Sequence, residues 1–173
     1  MAVTNSPTLP SLTTDQIATY GLCIQTGAII VSAIGIILTI IWLQRIACRR
    51  ATLDIALHEQ TDEKTVEKRT EFVKLRDAGH VAQWADPEKT STSQSTVIRS
   101  VLNRYELVAI GIGEGIIDEK SYKKWCRTTL VKDWIACKPF VMQLRQNGNV
   151  STYLVEFEAL AKRWATKEER NHA

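Results

Sequence analysis

The chain has 173 residues, enough for one domain plus an anchor but not for two sizeable domains. Its averages, 24% charged and 45% hydrophobic, are those of a soluble protein, and a net charge of +3 is too small to mark a nucleic-acid binder. Those averages conceal a sharp segregation: Asp15 is the only charged side chain before Arg45, and all 22 Lys and Arg residues lie from Arg45 onward.

The first residues are short, polar and rich in Ser, Thr and Pro ("TNSPTLPSLTT"). Pro10 and the Thr13–Thr14 pair before Asp15 predict a helix start, with Thr14 as the N-cap. Gly21 to Leu43 follows with no charge in 23 residues. As a helix rising ~1.5 Å per residue it would cover about 34 Å, against a hydrocarbon core of about 30 Å. Tyr20 and Trp42 lie near its ends, where amphipathic rings favour a membrane interface. A signal peptide needs a basic n-region, and no Lys or Arg precedes this stretch. A core helix of this length would be out of scale with so small a protein. The stretch therefore reads as a transmembrane helix over 20–44, and the lipid bilayer is its first partner.

Arg45, Arg49 and Arg50 follow the stretch directly, so the positive-inside rule places the C-terminal side in the cytoplasm and residues 1–19 outside. Ala28, Ser32, Gly35 and Thr39 fall at i, i+4, i+7 and i+11, a stripe of small residues of the kind that lets helices approach closely in lipid. That stripe is a candidate face for a homo-oligomer. A pore lined by Ser32 and Thr39 would need many copies.

No Pro or Gly interrupts the chain from Trp42 to Gly79, so the span is expected to continue as a juxtamembrane helix through residues 45–60. Residues 61–168 read as a cytoplasmic helical domain and 169–173 as a charged tail. Thr61 is the expected cap of "DEKTVEKRTEFVKLRDAG", a helix of five acidic and five basic residues that reads as a solvated face, with Gly79 as its stop. "HVAQWADPEKTSTSQST" is a polar break containing Pro87. Apolar positions 97, 98, 101, 102, 105, 108, 109 and 112 then form a helical stripe.

Gly111, Gly113 and Gly115 end that stripe, but Ile116 stands where a dinucleotide fingerprint needs its last glycine, and the preceding segment is helical in period. Gly111 and Gly113 are expected to permit close packing, and Gly115 to end the helix. Asp118 is the expected N-cap of the next helix, with Glu119 and Lys123 as an i,i+4 pair. Pro139 is expected to break or kink it, with "PFVMQLRQNG" continuing for two turns before a turn at Asn147–Gly148. In the last helix Leu154, Phe157, Leu160, Ala161 and Trp164 share a face, and the tail beyond Trp164 is expected to fray.

Four cysteines at 23, 48, 126 and 137 show no C-x-x-C pair and read as free thiols of a reducing compartment. Three histidines have no ligand-spaced neighbour, so no metal and no cofactor is expected. No nucleophile elbow, zinc-protease or Walker motif is present, and the chain reads as a non-enzyme. One constellation remains. Glu106 lies in an apolar helical run, and Arg127 and Asp133 lie among Trp125, Leu130 and Trp134. A buried carboxylate needs a partner. Glu106 is therefore expected to pair with Arg127 or Arg104, in a structural ion-pair cluster that includes Asp133. Trp84, Trp125, Trp134 and Trp164 read as packing residues.

"VLNRYELVAIGIGEGIIDEKSYKKWCRTTLVKDWIACKPFVMQLR" and the later "YLVEFEALAKRW" resemble the family named for domain of unknown function 4760. "RRATLDIAL" after an apolar helix fits the same pattern. Arg104 departs from it, since an aromatic residue commonly precedes the Tyr105–Glu106 equivalent, and Glu114 stands where a basic residue is frequent. The resemblance implies a mainly bacterial protein with one N-terminal span and a cytoplasmic helical domain, and it carries over no catalytic residue. The expectation is an all-α chain in the bacterial inner membrane. Its domain would bind an unknown cytoplasmic protein or act as a scaffold, with an oligomerising effector that perturbs the bilayer as the alternative.

Overall fold

The computed structural model describes residues 13–171; the expected polar tail falls largely outside them, as does the side chain of the expected cap Thr14. Every regular element among the described residues is helical, with no strand. The chain divides into two compact units, residues 1–44 and 45–173, and helix α1 (Thr14–Thr61) contributes to both.

In the first unit α1 is long and apolar enough to cross a membrane: its most apolar 18-residue stretch has a mean hydropathy of 2.4, and none of it is buried. Leu22, Ile24 and Val31 are more than 60% exposed. Thr26 and Thr39 satisfy their hydroxyls internally, donating to the Leu22 and Gly35 carbonyls at 2.9 and 2.8 Å. This is how hydroxyls are accommodated in a helix with no polar surroundings. The backbone is helical without interruption across residues 45–50.

In the second unit the rest of α1 joins a helical bundle. Helix α2 (Glu63–Asp77) is capped by Asp62, whose carboxylate accepts the Thr65 N–H at 2.9 Å. Thr61, the expected cap, is instead the last residue of α1, its hydroxyl bonded to the Leu57 carbonyl. A carboxylate is the stronger partner for the first-turn donors and the helix dipole. Ala78 is the C-cap, and Gly79 follows at φ +80, a conformation open to glycine at little cost. The expected polar break is short: 3₁₀ turns at Val81–Ala85 and Pro87–Lys89 bury Val81 and Ala85, and Thr92 caps helix α3 (Ser93–Gly113).

Helix α3 buries Val97, Ile98, Leu102, Tyr105, Val108, Ala109 and Ile112, nearly the whole stripe read from the sequence. It ends in a Schellman motif: Ile116 N–H bonds the Gly111 carbonyl at 2.8 Å and Gly115 N–H bonds Ile112 at 3.1 Å, with Gly115 at φ +69. A Cβ on Gly111 would lie 2.7 Å from Ile117 Cδ1, whereas one on Gly113 would meet nothing within 4 Å. Only the first of these glycines serves close packing.

Helix α4 (Glu119–Gly148) is capped by Asp118, which accepts the Ser121 N–H at 2.8 Å. It runs through Pro139 without the break that was one of the two expected outcomes. Proline removes one helical hydrogen bond and crowds the preceding turn. Trp134 and Cys137 before it and Phe140 and Val141 after it are all fully buried, so packing on both sides holds the helix together. Its end is Asn149 in the left-handed conformation, φ 50, rather than a turn at Asn147–Gly148.

Helix α5 (Val155–Trp164) lays Phe157, Leu160, Ala161 and Trp164 into the core. Phe157 stacks on Tyr105 at 5.0 Å and meets Trp134 edge-on at 5.2 Å, joining α3, α4 and α5. Full burial of each such side chain is worth about 1.5–3 kcal/mol. Beyond it the described residues continue as a capped helix rather than a frayed tail. Thr166 and Glu169 form a reciprocal capping box on helix α6 (Lys167–Arg170), and Glu169 pairs with Arg127.

Candidate functional site

A cleft of about 280 Å³ opens in the second unit. The last turn of α1 supplies Glu59 and Gln60, and α2 supplies Thr65, Lys68 and Arg69. Ser100, Val101, Arg104 and Tyr105 come from α3, and Trp125, Cys126 and Thr129 from α4. On α2, α3 and α4 these residues recur one helical turn apart, at i, i+3 and i+4 or at i, i+1 and i+4, so each of the three helices presents one face to the cleft.

Asp133, fully buried on α4, lies beneath it. Its carboxylate accepts from Arg69 Nη2 at 2.6 Å, Arg76 Nη1 at 2.6 Å and the Tyr105 hydroxyl at 2.8 Å. One negative charge thus faces two guanidinium groups, and three charge-assisted hydrogen bonds replace its lost hydration. The Arg69 guanidinium also lies 5.1 Å from the Phe72 ring centroid and 5.8 Å from that of Tyr105. Its Nη1 is buried with no hydrogen-bond partner.

Arg104 Nε pairs with Glu59 at 2.9 Å on the rim. Burial pushes the Glu59 carboxyl above its usual value, against the pull of Arg104 and Arg69. Burial, reinforced by the Asp133 charge, raises the Tyr105 phenol well above its usual range, so it remains a proton donor. Burial also lifts the Cys126 thiol to about 11, which leaves it a poor nucleophile at neutral pH. Lys68, Arg69 and Arg104 line the cleft, opposed by Glu59 and Asp133, while Arg76 behind them is shared between Asp133 and Asp77. The site carries surplus positive charge in a partly apolar setting.

The four residues expected to form one ion-pair cluster are dispersed. Asp133 takes Arg69 and Arg76, Arg104 takes Glu59, and Arg127 takes Glu169 and the Trp164 carbonyl. Glu106 pairs with no arginine: its carboxylate accepts the Glu156 and Phe157 N–H groups at 3.2 and 2.7 Å. Those are first-turn donors of α5, whose own N-cap Leu154 has no side chain that could accept. The need for an anion at a helix N-terminus outweighed the need for a cation beside Glu106. Glu119 likewise bonds Trp164 Nε1 at 2.7 Å and Arg163 at 3.1 Å rather than Lys123. Glu158 does pair with Lys162, at 2.6 Å. Trp134 and Trp164 are core residues, while Trp125 is 40% exposed at the cleft.

Sequence reasoning missed Arg69 and Arg76, because the alternating charges of α2 read as solvated, and it missed Glu59 at the end of α1. A signal was present: Arg69 and Arg76 are at i−3 and i+4 from Phe72, the one large aromatic of that helix. In the first unit Ala28, Ser32, Gly35 and Thr39 are all exposed, as are Arg45, Arg49 and Arg50 in the second. Among the described residues no three His, Cys, Asp or Glu side chains are grouped to hold a metal ion.

Residues 23–164 match the family described as Domain of unknown function (DUF4760), which covers most of the apolar helix, all four walls of the cleft and Asp133. The chain belongs to this family. No curated protein and no solved structure matches it. In this DUF4760 member the matched span ends at Trp164, so the α6 capping box that receives Arg127 lies just beyond it.

Proposed function

We propose that this DUF4760 chain is a single-pass protein of the bacterial cytoplasmic membrane, and that residues 45–173 are a binding or scaffold module on the cytoplasmic side. The cleft is the observation that carries the binding role. A positively charged recess above a buried Asp133 network is more than packing requires. The fully exposed apolar run and the arginines that follow it support the anchor and its direction. Alkaline carbonate extraction should leave the chain in the membrane pellet. A C-terminal tag should resist protease on intact spheroplasts and be cut once they are opened. Release into the supernatant would remove the span, and digestion on intact cells would reverse the direction.

A second reading is an oligomerising effector that perturbs the bilayer. It is favoured by the exposed stripe Ala28, Ser32, Gly35 and Thr39, with nothing within 4 Å of the position a Cβ would take on Gly35. Inducible expression with a membrane-potential dye separates the two. Depolarisation that disappears in the Ser32→Leu/Gly35→Leu double variant supports the effector. An unchanged potential at high expression supports the binding module.

A further inference from the structure

We infer that the cleft binds a small planar organic anion: an aromatic or heteroaromatic ring carrying a carboxylate or a phosphate monoester, no larger than a mononucleotide. This rests on reading residues 45–173 as a binding module and is independent of the membrane and its direction.

Three observations converge. The first is charge. Arg69 and Arg76 are matched by Asp133 and Asp77, and Arg104 is matched by Glu59, so Lys68 remains as unbalanced positive charge. A divalent cation would be repelled. The second is hydrogen bonding. Arg69 commits Nη2 to Asp133 and leaves Nη1 buried without an acceptor. Buried donors in native proteins are nearly always paired, and Arg69 lines the cleft, so a ligand oxygen there would complete it once the guanidinium turns Nη1 toward the opening. A neutral hydrocarbon would leave that donor unsatisfied.

The third is shape and surface. Val101, Tyr105 and Trp125 line the same cleft, and Trp125 is 40% exposed although an indole of its size is normally mostly buried. A flat ring against that indole would cover apolar surface on both partners. About 280 Å³ admits a ring system with one acidic group and excludes a polymer. A bare phosphate would leave the apolar lining unused.

Calorimetric titration of the full chain in phosphatidylcholine nanodiscs tests the inference, with four probes: 5′-adenosine monophosphate, indole-3-acetate, adenosine and inorganic phosphate. At least one of the two planar anions should bind. Adenosine and phosphate alone should bind about tenfold more weakly or worse, since each lacks one half of the recognition. Lys68→Ala and Trp125→Ala should each weaken the planar anion by about fivefold or more, with helical content retained and, for Lys68→Ala, melting unchanged. Lys132→Ala, at an exposed lysine outside the cleft, should bind as the parent does.

No heat with either planar anion up to about 5 mM overturns the inference, as does affinity indifferent to both cleft substitutions. Phosphate binding as tightly as the nucleotide also overturns it, in favour of a bare anion site. A chain that pellets with membranes yet gives no heat loses this inference and keeps its anchor, so the two failures are distinguishable.

Discussion

Asp133 is the residue on which the second unit depends most. It is fully buried, and it joins α4 to Arg69 and Arg76 of α2 and to Tyr105 of α3. Removing one member of a buried ion pair strands the other, at a cost of about 3–5 kcal/mol. Asp133→Ala should lower the denaturation midpoint accordingly. Lys132→Ala, next in sequence but largely exposed, should change it by less than about 0.5 kcal/mol. Other carboxylates set the pH dependence. Burial opposes the charge of Glu158, but hydrogen bonds from Lys162 and Arg145 outweigh it, and its folded value lies below the usual 4.5. Asp118 is lowered by the Ser121 side chain and N–H that it accepts from. A depressed folded value gives stability that is present above the unfolded value and lost as pH falls through the folded one. Glu59 acts in reverse: raised by burial, its contribution is present at low pH and lost as pH rises through its folded value. The thermal midpoint should therefore climb steeply up to about pH 4.5 and decline gently above it. Glu158→Gln should flatten the acid limb.

At the scale of elements, the sequence was most legible where one local rule acted alone. The stripe from Val97 to Ile112, the Asp118 cap and the apolar face of α5 each follow from periodicity or capping within a single helix. Elements decided by several partners were not legible. Pro139 is a helix breaker by local chemistry, yet the four buried residues around it override that tendency. Glu106 needed a partner, as its apolar surroundings implied, but that partner is the backbone of α5, fifty residues away, which no pairwise charge argument could name. The cleft was hidden for the same reason: its cations come from α2 and α3 and its indole from α4. The α3–α4 turn offers a direct test of local reasoning. Gly113→Ala should stabilise by about 0.5–1 kcal/mol, since alanine favours the helix and meets nothing there. Gly111→Val should destabilise by about 1–3 kcal/mol, because Ile117 already occupies the space its side chain would need. Chemical denaturation of the two variants side by side measures the difference.

For the whole molecule, the division at Gln44 and Arg45 coincides with the change from an uncharged stretch to one holding every basic residue. Helix α2 is held differently from α3, α4 and α5. Helices α3, α4 and α5 each bury four or more residues, whereas α2 buries only Phe72. Half-buried Val73 and Leu75 add to Phe72, and Arg69 and Arg76 on Asp133 fasten α2 to its neighbours. Such a helix should open locally before α3, α4 and α5, because it buries the least apolar area of the four. Amide hydrogen exchange should find α2 less protected than α3 and α4 by a factor well above ten, and Asp133→Ala should widen the gap further. Lys68 and Arg69 would then belong to a detachable panel, and any molecule gripping both that panel and Trp125 would act as a latch. Its binding would register less as a new shape than as slowed exchange along fifteen residues of charged helix.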